Sequence, residues 1–429
     1  MILYYLIVLF SALPNQPWFG ADFGGAGFTV FKYVGLLAFF YSLFYVGAKG
    51  GIPNPFQTWQ IRFFMALSLL AFASYLAMGK KTDIVMSPFT IYVSFLFMCF
   101  VSLALIDSVR RLRFSLLAFM GSLAFASLYV LREFQEAGFR EGYRAGYVAG
   151  DANYFAANAI LALALAYYLL RTKQPSWQKA YCLGCAFLTV LAFVASGSRG
   201  GFLALCVCLF FVFLRTKKKL RLALAALLFF PVLAFSSTSP LHRILHPAYG
   251  EKGSNTAHEV LFEAGLKVFL KHPVAGVGLG NFKRTMDSMG LFQKRGGYMA
   301  HDVYVEYAAE LGILGFLLFV GILVSVYRSL ERVRKLAMRY DDEFFFAVTS
   351  GMQTGFLGFC VASLFLSAEY QKTFWILIFL SASVPSLFRA RHSTADELQT
   401  RRSEMPNGPS HLVYSDSPLG SDEVEIKGT

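Results

Sequence analysis

Charge is scarce in this sequence. The 429 residues include only 39 Lys and Arg and 26 Asp and Glu, 15% of the chain, where a soluble domain carries about 25%. Together with a hydrophobic share of 56%, that shortage excludes an ordinary soluble domain. Cysteine is sparse as well: Cys99, Cys182, Cys185, Cys206, Cys208 and Cys360 all fall in apolar runs and read as small buried hydrophobes. Cys182 and Cys185 have metal-like spacing but no second pair, and the histidines are scattered, so no metal site and no cofactor is expected. No internal repeat is visible, which leaves an inverted-repeat transporter without support. The net charge of +13 forms no nucleic-acid-binding motif.

What the chain does have is apolar length. A spanning helix needs roughly 20 mainly apolar residues. Candidate runs lie at 1–13, 28–48, 62–78, 86–106, 114–131, 153–170, 180–196, 201–215, 220–236, 302–327, 344–367 and 372–388. They make an all-α integral membrane protein with about twelve transmembrane helices. The first run opens without a basic segment and is expected to be a retained span rather than a cleaved signal. With the N-terminus placed in the cytoplasm, the short inside loops hold most of the Lys and Arg, among them Arg110, Arg111, Arg113, Lys217, Lys218 and Lys219. The excess of base is then topological, and both termini face the cytoplasm. One large polar connection, residues 237–300, falls on the outer face. Within it, 258–271 carries Val260, Leu261, Ala264, Val268 and Phe269 at near-helical spacing before Pro273, as a helix on the membrane surface would. Residues 1–388 form the membrane domain, and 389–429, polar and rich in Ser, Asp and Glu, read as a disordered cytoplasmic tail.

Charges at the edge of a bilayer are expensive to hold there and point to function. Arg199 sits in A-S-G-S-R-G-G-F (195–202) at a tight outer turn. Its guanidinium could grip a phosphate through two parallel hydrogen bonds, or snorkel to lipid headgroups. His301 stands at the outer end of the run beginning at 302, where an imidazole can take a proton from a hydroxyl. Asp302, Glu306 and Glu310 follow on one helix face, within reach of neighbouring arginines. The glycine-rich G-V-G-L-G (276–280) opens no βαβ unit and is no dinucleotide fingerprint, but could offer backbone N–H groups to an anion. Arg243, Lys283 and other bases of the long loop read as a solvated surface or as anion contacts. Asn153 is a helix-start residue or a polar contact to substrate.

Four features in one order resemble the O-antigen ligase and polymerase family of bacterial envelope glycosyltransferases. They are G-D-x-N (150–153), G-S-R-G-G (197–201), H-P-x-x-G-x-G-x-G-N-F (272–282), and His301 followed by a helix reaching L-G-I-L-G (311–315). The family-like region covers about residues 150–330. The resemblance implies a helical bundle in the bacterial inner membrane with its active site on the periplasmic side. It further implies metal-independent transfer of a glycan from an undecaprenyl-diphosphate carrier, with membrane lipids as surroundings and no nucleic acid. By resemblance Arg199 holds the carrier diphosphate and His301 activates the acceptor. Asn153 and Asn281, the asparagines of their motifs, are candidate substrate contacts. Where the family carries a second loop arginine and a tryptophan, this chain has His258 and Phe262. The charge developing on the leaving diphosphate calls for more than one cation, so Arg243 is expected to join Arg199, with His258 or Lys283 as substitutes. The acceptor is the lipid A core for a ligase, and another carrier-linked repeat for an O-antigen or exopolysaccharide polymerase. Attachment to protein, and from another class a transporter or flippase, remain alternatives.

Overall fold

The computed structural model describes residues 1–12, 30–50, 57–78, 88–138, 143–146, 151–216, 219–220, 249–288 and 301–404. Every regular element among them is a helix. In chain order these are α1 (Ile2–Leu9), α2 (Val30–Lys49), α3 (Trp59–Met78), α4 (Pro88–Leu105), α5 (Val109–Glu136), α6 (Ala152–Leu169), α7 (Ser176–Ser196), α8 (Arg199–Arg215), α9 (Tyr249–Lys271), α10 (Phe282–Ser288), α11 (Val303–Arg339), α12 (Glu343–Ala362) and α13 (Lys372–Glu404), with short 3₁₀ turns at Ser363–Phe365 and Ala368–Tyr370. By its contacts the chain divides into Met1–Leu387 and Phe388–Thr429.

Eight of the described helices are long and apolar enough to cross a membrane, which makes this an all-α, multi-pass membrane protein. Tyr33–Lys49 is a shorter apolar segment, α8 has 17 residues, and α1 has only 8 of the run expected at 1–13. The run at 220–236 lies outside the described residues, so twelve spans are not reached among them. Helix α13 runs on past Arg389, where the polar tail was expected to begin; residues 405–429 lie outside the described part. Four of the six cysteines are buried, but Cys206 is exposed and Cys360 half-buried.

The bundle is held by α12, which packs along α6 and α8 and also meets α11. Helix α7 lies between α5 and α6, and α11 packs on α3. Buried aromatic side chains such as Trp375, Phe64 and Phe95 fill the centre. Because α6 and α8 run in one direction and α12 in the other, one end of the bundle collects the starts of α6 and α8 and the end of α12. The opposite end collects the other three termini.

The 37 residues of α11 are not one continuous helix. Gly312 has φ 67° and ψ −167°, outside the helical region. Backbone groups freed at this break bond to the loop after α9: Ile313 N–H donates to Pro273 O (2.8 Å), Val277 N–H to Ala309 O (2.9 Å) and Gly278 N–H to Glu310 O (2.9 Å). Helix α9 packs on the same segment, with Leu261, Ala264 and Val268 joining Phe282, Met286 and Ala309 in a small core. The stripe read as a membrane-surface face therefore covers protein, because the broken α11 presents it with an apolar partner.

A side chain at Gly312 would combine a left-handed φ with a Cβ driven into the Val274 carbonyl oxygen. Gly312→Ala is expected to destabilise the detergent-solubilised protein by more than about 3 kcal/mol, seen as a clear drop in thermal midpoint. An unchanged midpoint would contradict the broken-helix packing.

Candidate active site

The site is built around the first turn of α6. Asp151 caps that helix, its Oδ1 accepting the Asn153 N–H at 2.7 Å, so the helix-start role falls to Asp151 rather than Asn153. Asn153 does something else. Its Oδ1 accepts Arg144 Nη2 at 2.6 Å and the Ser198 hydroxyl at 2.8 Å. Ser198 caps α8 in turn, its Oγ accepting Gly201 N–H at 3.1 Å. The chain enters that cap through Gly197 in the left-handed conformation, φ 56°, and Arg199 follows as the first, half-buried residue of α8. One carbonyl oxygen thus ties Arg144 to the residue next to Arg199.

Arg144 is positioned from a second side. The Glu133 carboxylate, near the end of α5, accepts Tyr143 OH (2.9 Å) and Gly146 N–H (3.1 Å), while Ala145 N–H donates to Ala195 O (3.2 Å) at the end of α7. Arg144 is the functional candidate that sequence reading missed. In the sequence it is one more base after Arg132 and Arg140, and no spacing rule links it to Asn153 or Ser198.

His301 precedes α11 with φ 53°, unusual for a residue bearing a Cβ and of a kind that clusters at functional sites. Its N–H donates to Ser367 Oγ at 3.0 Å, and the Ser367 carbonyl accepts Tyr154 OH from the first turn of α6 at 3.0 Å. Burial pushes the imidazole pKa below its ordinary value, with the Asp151 carboxylate acting in the opposite direction. The neutral imidazole, which can accept a proton, is therefore favoured. The Arg199 turn and His301 are both bound to the opening residues of α6, one through Asn153 and the other through Tyr154.

The carboxylates after His301 are not spread over arginines. Asp302 caps α11, accepting Tyr304 N–H (2.8 Å) and Val305 N–H (3.1 Å). Glu310 accepts Gly280 N–H (2.9 Å) and Phe282 N–H (3.2 Å). The glycine-rich turn does present N–H groups to an acceptor, but the group it holds is the protein's own Glu310 carboxyl. Glu306 and Glu369 are buried; Glu306 Oε2 and both Glu369 carboxyl oxygens make no hydrogen bond among the described residues. Burial raises the Glu369 pKa to about 8.

The remaining candidates separate from this cluster. The Asn281 amide turns back to Val277 O (3.1 Å) and closes its own loop, and Lys283 is exposed on α10. Arg243 lies outside the described residues. His258 falls within α9, but its side chain lies outside the described part. Among the described residues no group of three or more His, Cys, Asp or Glu side chains is placed to hold a metal ion.

The fold and this cluster define a multi-pass helical membrane protein with Arg144, Arg199 and His301 at one end of the bundle. Residues 184–320 match the family Wzy_C, O-antigen ligase, and over that stretch the chain is similar to a family associated with glycosyl transfer in O-antigen biosynthesis. The matched segment includes Arg199, the H-P turn and His301; Arg144 and Asn153 precede it. No curated protein matches the chain.

Glu369 gives a pH signature. Its folded-state pKa, about 8, lies above the ordinary carboxylate value, so its contribution to stability is complete at acid pH and is lost as the pH climbs toward 8. Glu369→Gln, which stays neutral, is expected to melt with the wild type near about pH 4 and above it near about pH 9. Parallel melting curves at both pH values would show that Glu369 is not desolvated.

Proposed function

We propose that the protein is a glycosyltransferase that moves a glycan from undecaprenyl diphosphate to the lipid A core, on the periplasmic face of the bacterial inner membrane. The observation that carries this reading is the double anchoring on α6, where Asn153 fixes Arg144 beside the Arg199 turn and Tyr154 shares Ser367 with His301. The O-antigen ligase match supports the same reaction class.

In this reading the acceptor hydroxyl attacks the anomeric carbon, a new C–O bond forms, and the bond from sugar to diphosphate breaks with inversion. His301 receives the hydroxyl proton. The departing diphosphate gains negative charge, and Arg199 and Arg144 offset it as fixed cations with no solvent to reorganise. Arg144 takes the part expected of Arg243, His258 or Lys283. Ser367 positions His301 through its backbone N–H, and the Asp151 carboxylate acts on the ring.

Purified protein in detergent micelles, given a carrier-linked glycan and a lipid A core acceptor, tests the reading without any compartment for transport. Arg199→Ala and His301→Asn are expected to lower transfer by at least about 100-fold, and Arg144→Ala by about tenfold or more. Asn tolerates a left-handed φ, so the His301 variant should fold normally. The wild-type rate should fall on the acid side of pH 6.5 as His301 becomes protonated. Undiminished transfer in the Arg199 and His301 variants would overturn the mechanism. Elongation of a second carrier-linked repeat in place of the core would reassign the protein as a polymerase.

A further inference from the structure

A cavity of about 600 Å³ opens at the end of the bundle opposite the candidate site, between the last turns of α6 and α8 and the first turn of α12. Its size suits a small ligand, and nothing in the transfer reaction uses it. The lining includes Tyr167, Tyr168, Arg171, Arg215, Thr216 and Glu343. We propose that it is a second binding site, for the phosphate headgroup of an anionic membrane lipid.

Three observations carry this. First, the charge of the lining is positive where it is unopposed. Arg171 lies over the Tyr167 ring, 4.0 Å from its centroid, and no carboxylate among the described residues pairs with it. Stacking of this kind orients a guanidinium while leaving its N–H fork for an anion. Arg215 is fixed by Gln353 Oε1 at 2.9 Å and reaches Glu331 only at 3.9 Å. The one carboxylate in the lining, Glu343, is engaged by Lys173 through both the backbone N–H (3.2 Å) and Nζ (3.7 Å).

Second, the lining holds an unmet hydroxyl. Tyr168 is only 6% exposed, and its OH has no hydrogen-bond partner among the described residues. A buried hydroxyl without a partner is costly; the Tyr168 OH is itself closed off from the cavity, so a phosphate oxygen would relieve it once the ring turns toward the headgroup. Third, the cavity lies at headgroup depth. The apolar stretches of α6 and α8 end there, and Trp177, at the start of α7 a few residues beyond Arg171, is 55% exposed, as aromatic residues at a membrane interface are. Phe210 and Leu214, exposed on α8 five residues and one residue before its end, offer apolar surface to acyl chains. Guanidiniums between helix ends at this level are the chemistry that binds acidic headgroups.

The test is native mass spectrometry of the delipidated, full-length protein titrated with phosphatidylglycerol, with phosphatidylcholine and inorganic phosphate in parallel. The wild type is expected to retain phosphatidylglycerol in preference to phosphatidylcholine. Arg171→Ala with Tyr168→Phe should bind it about tenfold more weakly, the loss of one charge-assisted contact. Lys335→Ala, which removes an exposed base at the same end of the bundle, should not. Equal retention by the double variant, or an equal loss with Lys335→Ala, would overturn the site in favour of general surface charge. Displacement of the lipid by millimolar inorganic phosphate would overturn the lipid assignment in favour of a free anion. Arg199→Ala should bind phosphatidylglycerol as the wild type does, so failure of the transferase reading would leave this result standing.

Discussion

A single carboxylate holds together the end of the bundle where the candidate site lies. Glu310 sits where α11 breaks, and its two oxygens accept the Gly280 and Phe282 N–H groups of the loop after α9. The same loop closes on the break through main-chain bonds to Ala309, Glu310 and Ile313. In a low-dielectric interior, backbone groups released by a helix break must find partners, and here break and loop satisfy each other. The arrangement fixes residues 303–311 as a short, separately oriented piece of helix. His301 is attached to its N-terminus through the Asp302 cap.

That short piece is clamped on two further sides. Tyr92 and Tyr307 share a hydrogen bond at 3.0 Å, and Tyr304 donates to Cys360 O at 2.9 Å, tying it to α4 and α12. Ser367 then connects His301 to the first turn of α6, where Asn153 gathers Arg144 and Ser198. The polar end of the molecule is thus a chain of bonds running from the loop to the arginines, and it favours rigidity where a charged leaving group would need preorganised cations. Buried Glu306 and Glu369 stand beside this chain. Burial raises the Glu369 pKa to about 8, so in the proposed reaction it would add little negative charge beside a departing diphosphate.

Much of this was legible in the sequence because it follows from apolar length. The runs at 62–78, 86–106, 153–170, 180–196 and 344–367 correspond closely to α3, α4, α6, α7 and α12, since a bilayer demands a near-fixed helix length whatever the side chains. The motifs around Arg199 and His301 were visible for a similar reason, as charge at the rim of apolar runs is conspicuous. The rest depended on tertiary contact. Nothing local distinguishes Arg144 from Arg140 or Arg132, and only the fold brings it to Asn153. The glycine-rich turn announced an anion-binding backbone, yet its partner comes from a helix thirty residues further on. The stripe on α9 was correctly read as helical and apolar, but periodicity cannot tell a lipid-facing surface from a protein-facing one.

The dependence of the site on the Glu310 clasp is open to direct measurement. Glu310→Gln keeps the shape but turns one carboxylate oxygen into an amide donor facing a backbone donor. Hydrogen exchange of the Gly280 and Phe282 amides should accelerate by at least about tenfold in that variant, with loss of glycan transfer although Arg199, Arg144 and His301 are all present. Unchanged protection of those two amides, with full transfer, would contradict the account.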